Sequence, residues 1–225
     1  MGKKKRPVLK IVLIVLGAIV IIAVITNIAG GGDSSSSPET TVATTTNVES
    51  GEVVAAPEAP PEKKSSPQYV KAGMYKVGSE LPAGEYIIEA TGDMAYYQVS
   101  SDSSGEIDSI IVNDTFNKGV FAYIILQDGD YIKIDRGRMI AAPELTLQPK
   151  LDAIPPSTYK VGKDIPAGEY KLTPTDEIAY WERNKNPRDS INGIIANDVV
   201  TESVYVTIRD GEYFKITGVQ GQKVY

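Results

Sequence analysis

Neither cysteine nor histidine occurs among the 225 residues. Without cysteine there is no disulfide, no thiolate metal site and no lipobox. Without histidine the commonest general base and the commonest metal ligand are both missing. Ser-His-Asp and Cys-His nucleophilic arrangements are thereby excluded. No glycine-rich phosphate loop follows a strand and opens a helix. A net charge of -6, a pI near 4.9 and no basic patch beyond the N-terminus argue against nucleic acid as a partner. A glycosidase-like carboxylate pair stays conceivable, but nothing singles out one pair. The expectation is a protein that is not an enzyme and has no cofactor.

One long apolar run is present. Lys3, Lys4, Lys5, Arg6 and Lys10 precede it, and residues 11–32 carry no charge. A membrane-spanning helix needs about 20 apolar residues, so residues 11–29 read as a transmembrane helix and an uncleaved signal anchor. The alternative is a cleaved signal peptide, whose apolar core is shorter, about 7–15 residues. The next basic residue is Lys63. The positive-inside rule then leaves residues 1–10 as a cytoplasmic basic tail and puts the C-terminal part outside the cell. Residues 30–68 are rich in Gly, Ser, Thr, Pro and Glu. They hold too few large apolar side chains to offset the entropy of ordering, and read as a disordered stalk.

The remainder is a duplication. Tyr75 to Tyr86 reads YKVGSELPAGEY, and 84 residues later Tyr159 to Tyr170 reads YKVGKDIPAGEY. At the same offset Ala95-Tyr96-Tyr97 matches Ala179-Tyr180-Trp181, and Asn113-Asp114 matches Asn197-Asp198. After a two-residue slip, Asp128 to Ile134 matches Asp210 to Ile216. The domain reading is two tandem modules, 69–149 and 150–225. Modules that small are marginal alone, so pairing of the copies would add stability.

Both modules read as all-β, because Tyr, Ile, Val and Thr runs are short and punctuated by Gly, Pro, Asn and Asp. Strands are expected at 74–77, 85–90, 95–100, 109–113, 120–127, 131–135 and 139–142. In module 2 they are expected at 159–161, 169–173, 179–183, 193–197, 204–209, 213–217 and 223–225. Seven short strands per module favour a small, jelly-roll-like β-sandwich. Val206 and Ile208 alternate with polar neighbours, as do Phe214 and Ile216. A three-residue loop, Arg209-Asp210-Gly211, would pair Val206 with Phe214 in a hairpin and place Gly211 in the left-handed region.

The strings YKVGKDIPAGEY, YQVSSDSSGEIDSIIVND and DGDYIKI resemble a repeat of uncharacterised exported or surface proteins of Gram-positive bacteria. The likeness spans about 140 of the 225 residues. It implies an exported protein and carries no activity. Module 2 departs from the pattern at residues 184–189.

Candidate contact residues follow from the alternation. If Val206 and Phe214 point inward, Tyr205, Tyr213 and Lys215 point outward, as do Tyr123, Tyr131 and Lys133 in module 1. Tyrosine beside a cation suits a glycan or a peptide, since rings offer area at low entropic cost. The alternative is that Tyr favours strands anyway, or that this face packs on the other module. Trp181 is a further candidate, either core anchor or contact. Asp114, Asp128, Asp130, Asp198, Asp210 and Glu212 recur in loops, but with turn spacing, so no metal site is expected. The expected function is a single-pass membrane protein displaying two β-modules outside the cell, where they bind a cell-wall glycan or a surface protein. The alternative is a structural subunit packed on a membrane partner's ectodomain.

Overall fold

The computed structural model describes residues 68–189 and 191–225, which belong to one compact unit, Ser65–Tyr225. The expected cytoplasmic tail, transmembrane helix and nearly all of the stalk lie outside the described residues. Module 1 contains β1 (Gly73–Lys76), β2 (Gly84–Ala90), β3 (Ala95–Ser100), β4 (Ile110–Phe116), β5 (Phe121–Leu126), β6 (Tyr131–Asp135) and β7 (Gly137–Ala141). Module 2 contains β8 (Ser157–Lys160), β9 (Gly168–Pro174), β10 (Tyr180–Asn184), β11 (Ile194–Val199), β12 (Val204–Ile208), β13 (Tyr213–Thr217) and β14 (Val219–Lys223). The last strand begins at Val219 and shares only Lys223 with the expected 223–225.

Every ladder is antiparallel. Each module has a front sheet, β1-β6-β3-β4 or β8-β13-β10-β11, and a back sheet, β5-β2-β7 or β12-β9-β14. The result is sandwich-like and the same in both copies, down to a bulge at Val99/Ser100 and at Arg183/Asn184.

The inward set is the one that alternation predicts. Ile124, Leu126, Ile132 and Ile134 are buried in module 1, and Val206, Ile208, Phe214 and Ile216 in module 2. The expected hairpin is nevertheless absent. β12 pairs with β9, while β13 pairs with β8 and β10. Residues 209–211 carry the chain from the back sheet to the front sheet, so Val206 and Phe214 meet the core from opposite sides. Gly211 still takes the left-handed conformation, with φ 84°. The crossover is held by Glu212, whose carboxylate accepts the Arg209 amide, as Asp130 accepts that of Gln127.

The repeated twelve-residue string builds another crossover, from front sheet to back. Gly162 has φ 88°, and a Cβ there would sit 2.9 Å from the Asp210 carboxylate, so glycine is required. The Glu80 and Asp164 carboxylates each accept the amide four residues back, from Lys76 and Lys160. The string's tyrosines donate to the carbonyl four residues upstream. Tyr86 bonds Pro82 and Tyr170 bonds Pro166, both at 2.7 Å. Tyr75 and Tyr159 do the same to Lys71 and Pro155. The string is thus a structural element whose residues satisfy their own backbone.

Candidate functional site

The back sheet of module 1 is covered on both sides. Tyr86, Ile88, Ala122, Ile124 and Met139 face the module's own core. Ile87, Tyr123 and Ile140 face the other way and join the core of module 2, together with Ala142 and Leu147. The outer side of module 2's front sheet meets them, and the Tyr123 and Tyr213 rings lie 5.5 Å apart.

Polar contacts close this junction. The Glu85 carboxylate receives Lys160 Nζ at 2.8 Å on both oxygens and the Tyr213 hydroxyl as well. Asp164 accepts the Tyr123 hydroxyl at 2.6 Å and the Leu147 amide at 2.8 Å. Lys163 Nζ donates to the Ala142 and Leu145 carbonyls. Lys215 bonds Asp114 at 2.6 Å, and Arg188 clamps Asp130 with both terminal nitrogens. Burial, then the bonded carboxylates, push the Tyr123 and Tyr213 phenols well above their ordinary range. Burial also lowers the Lys163 ammonium. Among the described residues no buried side-chain polar atom lacks a partner.

Three candidate contact residues are therefore corrected. Tyr123 and Tyr213 are 2% and 6% exposed, and Lys215 is half-buried against module 1. They point out of their own sheets as alternation requires, but the other module covers them. Trp181 lies opposite Ile216 in the ladder and packs half-buried against the core. Tyr131 and Lys133 lie on the outer front face of module 1. Tyr205, 61% exposed, lies on the outer back face of module 2. The seven candidates thus occupy four places and form no single surface.

The divergent loop at residues 184–189 has its explanation here, since it delivers Arg188 to Asp130. A shallow cleft runs between this loop and Ile111 and Gln127 of module 1. Among the described residues no three acidic, His or Cys side chains converge as metal ligands.

The open front face of module 1 keeps two of the candidates, Tyr131 and Lys133, exposed or half-buried among further polar groups. Ladder register puts Met74, Lys133, Gln98 and Asn113 in one row and Lys76 beside Tyr131 in the next. Lys76 Nζ lies 5.5 Å from the Tyr131 ring centroid. Asn113 Nδ2 donates to the Tyr96 hydroxyl, which donates to Gln98 Oε1 at 2.8 Å. Gln98 and Asn113 are absent from the candidates read from sequence. The signal for them is the recurrence of the same triad as Tyr180, Glu182 and Asn197.

Residues 152–220 match the family model described as an Rv1352-like extracellular domain. That span is nearly all of module 2, so the module is similar to an extracellular domain. Module 1 repeats its topology strand for strand. No curated protein matches the chain.

Proposed function

We propose that the chain is a single-pass, membrane-tethered interaction protein whose two-module head works outside the cell. Residues 11–29 are the anchor and 30–68 the stalk. The match of module 2 to an extracellular domain supports this side of the membrane, as does the resemblance to exported Gram-positive repeat proteins. Each module reads as a jelly roll. In an eight-stranded roll nested hairpins pair first strand with last, second with next to last, and so inward. The two sheet orders fit that scheme with the first strand reduced to one bridge, Val70–Met139 or Ile154–Gly221.

The observation that carries a binding role is the open front face of module 1. It presents Tyr131, Tyr96, two lysines and two amides on a rigid sheet. Such a face gives aromatic area and fixed donors to an envelope glycan or a surface protein. Retention of the full chain by isolated cell envelopes tests the reading. Tyr131→Ala is expected to weaken retention by about 2 kcal/mol, roughly 30-fold. Trp181→Phe, away from this face, should leave it unchanged. Equal retention of the Tyr131 variant and the parent would count against the proposal.

A further inference from the structure

The junction inside the chain is a template for a second junction between chains. It joins the back face of module 1 to the front face of module 2. One front face and one back face are left over. The front face of module 1 and the back face of module 2 carry the matching halves of the same contacts.

The repeat allows the comparison contact by contact. Glu85 is gripped by Lys160 and Tyr213; their counterparts are Glu169 on the free back face and Lys76 and Tyr131 on the free front face. The grip is preformed, since Lys76 Nζ stands 5.5 Å from the Tyr131 ring centroid and Lys160 Nζ stands 5.4 Å from that of Tyr213. Tyr123 donates to Asp164; their counterparts are Tyr205 and Glu80. Glu80 already holds the Lys76 amide as Asp164 holds that of Lys160. Asp114 pairs with Lys215; their counterparts are Asp198 and Lys133. Lys76, Glu80, Lys133, Glu169, Asp198 and Tyr205 are all exposed.

Loss of the Arg188–Asp130 contact leaves no charge stranded. Arg188 becomes Ser104, and Glu212, at the place of Asp130, is paired inside its own module with Arg183 at 2.6 Å. Ile87 becomes Lys171, which removes an apolar member of the contact and adds a cation to the free back face, and Lys163 becomes Ser79. Ile140 becomes Gln222 and Phe121 becomes Ser203, which keeps the free back face soluble.

We propose that these two faces bind each other between copies, head to tail, with Glu169 of one chain seated between Lys76 and Tyr131 of the next. This rests on the reading of the module 1 front face as a binding surface, and names its partner as a second copy. The contact is heterologous and open-ended, so it generates rows of heads rather than closed pairs. Lacking most of the apolar members of the internal junction, it is reversible and weakens with salt.

The absence of native cysteine makes the test direct. Two differently tagged full chains are co-expressed, one with Met74→Cys and one with Ser203→Cys. Met74 follows Gly73, the counterpart of Ser157, and Ser203 is the counterpart of Phe121; Phe121 and Ser157 touch in the internal junction at 3.2 Å. A short bismaleimide should join the two tags, and Met74→Cys alone should give no dimer. Lys76→Glu on the Met74→Cys chain should cut the yield roughly tenfold, and Glu169→Lys on the other chain should restore it. No crosslink between the two positions overturns the proposal, as does an equal Met74–Met74 product or an unchanged yield with Lys76→Glu. If crosslinking fails while Tyr131→Ala still costs envelope retention, the head-to-tail contact falls and the binding face stands.

Discussion

Tyr123 and Tyr213 carry a pH dependence that exposed phenols would lack. Both are pushed up by burial first and by Asp164 or Glu85 next, from an ordinary value of 10.0. A group that holds its proton more tightly when folded stabilises the fold fully below its unfolded pKa. That contribution is lost as pH rises through the folded value. Urea unfolding should therefore be level up to about pH 10 and lose stability steeply above it. Tyr123→Phe with Tyr213→Phe should cost about 1 kcal/mol per lost hydrogen bond at neutral pH and lessen the alkaline fall, the rest of which belongs to Tyr97, Tyr159, Tyr170 and Tyr180, whose phenols burial also raises. An alkaline fall of the same size in the double variant would show that these phenols do not govern it. At this scale the sequence placed the side chains on the right side of each strand. It left open whether Tyr123, Tyr213 and Lys215 face a ligand or pack on the other module, the alternative that the structure shows, because a period of two reports which side a residue takes and not what lies there.

Strand β2 and its counterpart β9 show where a junction was written. Tyr86-Ile87-Ile88 is apolar on both faces, while Tyr170-Lys171-Leu172 alternates. A strand buried on both sides reads as a continuous apolar run, and Phe121 to Leu126 against Ser203 to Ile208 repeats the contrast. Ile87→Lys should therefore destabilise the head by about 3–5 kcal/mol, since it buries a charge without a partner. Lys171→Ile at the equivalent place should change stability by no more than about 0.5 kcal/mol. Urea midpoints of the two variants would check the asymmetry, and equal effects would refute the assignment of the covered face. Thirteen of the fourteen strands match the expected positions to within a few residues at each end, and the final one shares only Lys223 with its expected span. The 204–217 hairpin was misread for a physical reason. Burial alone scores Val206 and Phe214 equally well as ladder neighbours in one sheet or as opposed residues in two.

Across the whole head, the core of module 2 reaches into module 1 through Ile87, Tyr123, Ile140, Ala142 and Leu147. Damage in one module should therefore be felt in both. Phe214→Ala, deep in module 2, should cost about 3–5 kcal/mol. It should also lower the hydrogen-exchange protection of the β2 amides in module 1 within a single unfolding transition. Two separate transitions, with β2 protection unchanged, would show that the junction does not couple the modules. The amino-acid sequence alone determined the duplication, the strands and the inward side of each, because these follow from local periodicity and turn chemistry. Tertiary structure alone decided which sheet each strand joins and which faces stay open. Those outcomes depend on pairing energies between segments far apart in the chain, where several partners satisfy the same alternation and the observed arrangement also satisfies Glu85, Asp164 and Asp114.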